Sequence, residues 1–389
     1  MTHVRKTGII CSIGPVCRSV DMLVQMIEGG MDVARMNFSD GDHEYLAGTI
    51  KNVREAGKLT KRIVPIALEM KVPENGTVLL AKGGSAENLE ANDAADSENF
   101  DFAVKHGVDF IFAFFIQNAN GIKAIRQLLG EAGKDIKIIA KIDDQEGMDN
   151  LDEIITESDG LIVACEKSVD QQMLVSKCTI AGKPVITATQ MLGSMSKTGH
   201  HTEGDYDVAK NAVLDGVDCV LLSEDLANSA YTVDALITMH DICQGNEPGF
   251  RHPNYFEELL LNEYTPVSIA FAAPSVAIQC RASAIILLTT TGKSALECYR
   301  RRMPIPVLAI TRYEQVARQL KLCRGVFPVY YPHMERDPEW KEDVNKRISY
   351  GIEVGKERGF IHNGDFVVLI TGWQAGAGST NTSRLVKVE

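Results

Sequence analysis

The chain has 389 residues, with 40 Lys and Arg against 52 Asp and Glu, giving a formal net charge of -12 at neutral pH. Its 45% hydrophobic content is that of a globular chain long enough for two domains. The acidic balance argues against nucleic-acid binding and against an anionic membrane surface, while leaving room for local phosphate pockets.

In chain order, eight short apolar runs close on polar residues: TGIICSI, DVARMNF, IVPIALEM, DFIFAFF, IKIIAKI, GLIVAC, PVITAT and CVLLSED. Helical periodicity separates most of them, with early helices expected over Val20–Gly29 and His43–Glu55. Strands alternating with helices imply parallel βαβ units, and eight units are the number that closes a TIM (β/α)8 barrel. Between the third and fourth runs, Val72–Asp96 is polar and Gly-rich and reads as a long loop. The rhythm then continues to about Gln244, where QGNEPGFRHPNYF reads as a linker. The expected division is a barrel over 1–244 and a smaller α/β domain over 245–389. The second unit carries five apolar runs, SVAIQC, AIILLTT, IPVLAIT, GVFPVYY and DFVVLITGW, read as a sheet covered on both faces.

Nine scattered cysteines form no C-x-x-C pair, and Cys11, Cys165 and Cys219 lie inside apolar runs. Reduced, buried thiols are therefore expected. The opening MTHVRKTGIICSIG has no signal-peptide architecture, and no apolar run reaches 18 residues. The expectation is a cytoplasmic protein that does not enter membranes.

Chemistry in such a barrel sits at the C-terminal strand ends. Those ends carry Arg35, Asn37, Ser39, Glu69, Lys71, Lys141, Asp143, Thr189, Ser223 and Glu224. Alternation in the second run puts Arg35, Asn37 and Ser39 on one face. An arginine there suits a phosphate or carboxylate, or else pairs with a structural carboxylate. Lys141 and Asp143 share a face, as an anion-and-metal pair or a simple ion pair. Thr187 and Thr189 either orient a water or pack as β-branched side chains. In the second unit, Thr289–Ser294 is a hydroxyl-rich turn before a helix, and TGWQAGAGSTNT is a second Gly-rich loop. Together they suggest a phosphorylated ligand, against the plainer reading of tight turns.

RKTGIICSIGP, GMDVARMNFSDGDHEY, IKIIAKIDDQEG, GKPVITATQML, NAVLDGVDCVLLS and VLITGWQAGAGSTNT closely resemble signature segments of animal-type pyruvate kinases, in order, from Arg5 to Glu389. The resemblance implies a TIM barrel, a lid domain inserted after the third strand and a C-terminal effector domain. It implies phosphoryl transfer from phosphoenolpyruvate to ADP with a divalent metal (Mg2+ or Mn2+) and K+, and usually a tetramer. By resemblance, Arg35 holds the substrate phosphate, Lys141 stabilises the transferred group and the enolate, and Thr189 serves enolate protonation. Asn37, Ser39 and Glu69 correspond to potassium ligands, and Asp143 and Glu166 to the divalent site. Thr289, Thr291, Gly292, Lys293 and Ser294, with Trp340, Arg347, Trp373, Gly376 and Gly378, resemble a fructose 1,6-bisphosphate site.

Departures from the family pattern cluster on the chemistry. ALDTKGPEIR is ALEMKVPENG here, so Glu69 replaces an aspartate, Met70 a threonine potassium ligand and Gly76 an arginine. A thioether is a poor partner for a hard cation. Phe114 replaces a serine, Asp40 a histidine and Asp143 a glutamate; Lys293 replaces the effector loop's arginine. SDGIMVARGDLG is SDGLIVACEKSV, which sets Lys167 at a metal ligand unless Glu166 shifts in, and SGET is SEDL at Ser223–Leu226. Nearly the whole lid is missing. Two readings stay open: a pyruvate kinase with reduced phosphotransfer, or an inactive paralogue acting as a regulatory or partner subunit.

Overall fold

The computed structural model describes residues 4–71, 91–163, 171–250, 269–374, 376 and 378–389. Each of the eight expected runs forms a strand: β1 Gly8–Ser12, β2 Val33–Asn37, β3 Ile66–Lys71, β4 Phe110–Phe114, β5 Lys137–Ile142, β6 Gly160–Val163, β7 Val185–Met191 and β8 Cys219–Leu222. Each pairs with the next in parallel, and β8 returns to β1, so the sheet is a closed barrel. Period-two alternation sorts the side chains. Ile10, Val33, Phe110, Phe112, Ile139, Ile162 and Ile186 fill the interior. Their neighbours Ile9, Ala34, Leu68, Ile111, Ile138, Leu161 and Val185 pack against the outer helices.

Helix ends follow their capping residues. Val20–Gly29 starts at Ser19, whose side chain accepts from the Met22 N–H, and stops at Gly30 in the left-handed region. The next helix starts as expected at His43 but runs four residues further, to Leu59. Of the segment read as a loop over Val72–Asp96, residues 72–90 lie outside the described residues, and the remainder opens a helix that runs from Ala91 to His106. The helix Thr232–Asn246 crosses the expected 244/245 division. Glu247 still belongs to the barrel, accepting the N–H groups of Lys6 and Thr7, each at 2.7 Å.

The second sheet has the order β11-β10-β9-β12-β13, with β9 Ala284–Leu288, β10 Val307–Thr311, β11 Val326–Tyr330, β12 Phe366–Gly372 and β13 Thr380–Lys387. Apolar clusters cover both its faces, one containing Ile285, Leu287 and Ala309, the other Ile286, Leu308 and Ile310. Two sequence expectations change here. SVAIQC is no strand but lies largely in the helix Ile269–Gln279. The fifth strand is β13, an antiparallel edge whose mixed polar sequence carries no apolar run.

The floor of the barrel, at its N-terminal end, is built on four aspartates. Asp32, Asp109, Asp159 and Asp218 each stand immediately before an even-numbered strand. Each carboxylate accepts a backbone N–H near the start of the preceding odd strand: Ile9 (3.1 Å), Ile66 (2.9 Å), Ile138 (3.0 Å) and Val185 (2.8 Å). Each also pairs with cations. Asp159 uses Lys137 and Arg126 from the barrel itself. The other three reach the second domain: Asp32 to Lys321 (3.1 Å), Asp109 to Arg318 (2.8 Å) and Asp218 to both ends of the Arg302 fork (2.7 Å each). Leu322 joins the interior barrel cluster from the same side. Gly8 permits the closeness there, since a Cβ on it would stand 2.5 Å from the Cys219 sulfur.

The eight described cysteines are free thiols, seven of them buried; Cys165 lies outside the described residues. No helix among the described residues is long and apolar enough to cross a membrane.

Candidate active site

The C-terminal ends of the barrel strands gather the polar residues at the opposite mouth. Arg35 is the centre of this group. It points inward from β2, is 4% exposed, and donates from Nη1 to Ser12 Oγ at 2.7 Å. Its Nη2 pairs with the buried Glu69 carboxylate on neighbouring β3 and lies 3.6 Å from Glu224, in the turn after β8. The Arg35 Nε is buried with no hydrogen-bond partner. Burial pushes the guanidinium below its ordinary pKa, and the Glu224 and Asp40 carboxylates oppose that shift. Burial also pushes the Asp40 carboxyl up; the Asn37 N–H pulls it back and Glu224 adds to the rise.

The second cation of the mouth is likewise paired. Lys141 Nζ lies 2.8 Å from Asp143 and 4.1 Å from the centre of the Phe114 ring. The expected proximity of Lys141 and Asp143 is therefore present, as an ion pair. Phe114, on adjacent β4, supplies a cation–π face to the same lysine.

Other sequence expectations are redistributed. Ser39 does not continue the Arg35–Asn37 face. Strand β2 ends at Asn37, and Phe38–Asp40 turns as a 3-10 helix. The Asn37 side chain caps that turn by accepting the Ser39 N–H at 3.0 Å, and Ser39 is exposed. Glu69 is engaged by Arg35 rather than free for a cation. Met70 lies in the outer core, so its thioether is not presented to the mouth, and the sulfur argument against potassium lapses. Thr187 is fully buried, with its hydroxyl unpartnered, and shares β7's outer face with Val185. That is the packing role. Thr189 is half-buried, and the β7–β8 register breaks between Thr187 and Met191, so strand alternation does not carry through to it.

Among the described residues, no group of three or more His, Cys, Asp or Glu gathers as a metal site. Glu166, Lys167 and Gly76 lie outside those residues. The described donors do not fit a divalent ion: Asp143 is a single carboxylate and is already paired.

In the second domain, parallel pairing of β9 with β12 brings both Gly- and hydroxyl-rich loops out at the C-terminal end of the central strands. Thr289 closes the first loop by accepting the Gly292 N–H at 2.9 Å, and Gly292 takes φ +84, a conformation costly for other residues. Thr291 and Lys293 are exposed and Ser294 half-buried at the start of the helix Lys293–Tyr299. The second loop exposes Trp373, with Gly376 and Gly378 at positive φ. Ser379 Oγ lies within hydrogen-bonding distance of the Gln374 and Gly376 carbonyls, at 2.9 and 2.8 Å. Trp340 packs against the domain core instead of standing free. Arg347 pairs with Asp343 at 2.8 Å, and Asp343 also takes both ends of the Arg312 fork. Burial pushes the Asp343 carboxyl up, but Arg312 and Arg347 outweigh it and hold the group below its ordinary pKa.

The four floor aspartates were missed by sequence reasoning. Their signal was present, because the pairs MD, VD, SD and VD stand directly before the four even-numbered strands.

The fold and mouth define a parallel (β/α)8 barrel with a buried, carboxylate-paired arginine at its mouth, joined to an α/β domain with two glycine-rich loops. The pyruvate kinase barrel-domain model matches residues 4–96 and 84–236, and the pyruvate kinase alpha/beta-domain model matches 267–386. Pyruvate kinase PKLR of Homo sapiens is 36% identical, covering 99% of this chain and 85% of its own length. Pyruvate kinases of Candida albicans and Kluyveromyces lactis are 33% and 32% identical, over 99% and 100% of this chain and 96% and 97% of their own lengths. The chain belongs to the pyruvate kinase family. The human alignment spans 492 positions against 389 residues here, and the two barrel matches meet between β3 and the helix before β4.

Proposed function

We propose that this protein keeps the framework for phosphoryl transfer from phosphoenolpyruvate to ADP but performs the reaction poorly. The observation that carries this reading is that, among the described residues, the mouth cations Arg35 and Lys141 are each paired with the chain's own carboxylates. In the proposed chemistry Arg35 anchors the substrate phosphate, Lys141 faces the transferred group and Thr189 serves enolate protonation. Transfer of this kind depends on positioning and charge neutralisation. Each cation must first release its internal partner. A divalent ion would supply further neutralisation when bound, but only if Asp143 leaves Lys141 and Glu166 joins it; potassium at Asn37, Ser39 and Glu69 would likewise require Glu69 to leave Arg35.

Lys167 is the sharpest test. A cation about 4 Å from a divalent ion repels it by several kcal/mol even at high effective dielectric. Manganese titration of the whole protein should show weak binding, strengthened by Lys167→Asp. Tight binding in the unmodified chain, abolished by Glu166→Gln, would contradict the reading.

The second reading, a regulatory or partner subunit in a family-type oligomer, is favoured by the two second-domain loops leaving the same end of adjacent strands. Thr289, Thr291, Gly292, Lys293 and Ser294 are proposed to hold one phosphate of a fructose 1,6-bisphosphate-like effector. Arg347, Trp340 and the Trp373–Ser379 loop are proposed to form the rest of that site and hold the other. Binding should raise the melting temperature, by the equivalent of about 2.7 kcal/mol at one hundred times Kd. An equal rise in a Lys293→Glu, Arg347→Ala double variant would refute it. A cytoplasmic location completes this reading.

A further inference from the structure

Glu224 begins the short turn that follows β8. In the segment SEDL it stands where the resembled family pattern SGET has glycine. Its side chain is 56% exposed, yet Oε2 comes within 3.6 Å of Arg35 Nη2. That distance is a charge contact, too long for a hydrogen bond. The same guanidinium is held on its other side by Glu69, which is 7% exposed and fixed in register beside Asn37. One buried cation therefore faces two carboxylates, one pinned and one at the solvent edge.

We propose that Glu224 is an internal anion that competes with a ligand's phosphate for Arg35, so that it sets the affinity of this barrel for phosphorylated ligands. The proposal rests on the reading of Arg35 as the phosphate anchor. Glu69 cannot play this part, because it is buried in the strand layer whether or not a ligand arrives. Glu224 can, because an exposed carboxylate loses little by turning back to water. An incoming phosphate brings the same sign of charge, so the two exclude each other at one guanidinium. The Arg35 Nε, buried without a partner, leaves an unused donor on the same group.

The test is calorimetric titration of the full chain with phosphoenolpyruvate and, separately, inorganic phosphate. Glu224→Gly and Glu224→Gln should each tighten both ligands about fivefold, the equivalent of about 1 kcal/mol. Asp225→Asn removes the same charge one residue on, from an exposed side chain. It should change affinity less than about twofold. Equal tightening by Asp225→Asn would reduce the effect to the general field and overturn the proposal. So would no tightening in either Glu224 variant while Arg35→Lys, which keeps the charge beside Glu69, weakens phosphate binding. If Arg35→Lys leaves phosphate affinity unchanged, the anchor reading fails, and the proposal with it.

Discussion

The two ends of the barrel use the same kind of contact to opposite effect. At the floor, four aspartates each bind a backbone N–H and at least one cation. Asp218 is fully buried, with Arg302 at 1% exposure, the Tyr299 hydroxyl at 2.8 Å and the Arg324 N–H at 2.9 Å. At the mouth the Arg35–Glu69 pair is buried like Asp218–Arg302, but the other two contacts are open on one side: Glu224 is more than half exposed, and Asp143 one-quarter exposed. A buried charge with every lone pair engaged holds an architecture, and removing one partner is costly. A half-exposed pair adds little stability and can be exchanged for a ligand. The floor accounts for a fold held to its second domain, and the mouth for a site whose cations are occupied by its own chain.

The largest effect that can break this comparison is expected from Asp218→Ala. It strips the partner from buried Arg302 and should cost about 3–5 kcal/mol in urea unfolding. A loss under about 1 kcal/mol would erase the distinction between floor and mouth. A smaller effect is expected from Asp32→Asn. Burial pushes the Asp32 carboxyl up, but Arg5, Lys321 and the Ile9 N–H outweigh it and hold it far below the carboxylate range. A depressed carboxyl stabilises the fold above its unfolded pKa, near 4, and that contribution fades as pH falls below it. The variant should lose about 1.5–3 kcal/mol at pH 7, with the gap narrowing below about pH 4. A gap that grows on acidification would reverse the assigned sign. As a control at the mouth, Glu224→Gln should move stability by less than about 0.5 kcal/mol.

The barrel was legible because β1–β8 are each short apolar runs, a pattern with one strong geometric solution. The second sheet was less so. β13 is an edge with polar residues on both faces, and SVAIQC is apolar enough for either strand or helix. At the site, the Lys141–Asp143 pair follows directly from period-two spacing. Ser39 fails because alternation holds only while the strand lasts, and Asn37 ends it by capping the next turn. The Arg35–Glu224 contact joins residues 189 positions apart in the sequence, across barrel closure, and no local pattern announces it. The floor aspartates did carry a local sign, each standing directly before an even-numbered strand, but the cations that meet them come together only when the barrel closes.

The central claim is that the mouth's cations are spent internally while the framework stands. It is tested most directly by the rate at which purified full-length protein converts phosphoenolpyruvate and ADP to pyruvate, with saturating magnesium and potassium. The account predicts cooperative unfolding of an intact fold together with turnover more than tenfold below that of a pyruvate kinase such as the human relative. A rate within tenfold of it, a barrier difference under about 1.4 kcal/mol, would contradict the account.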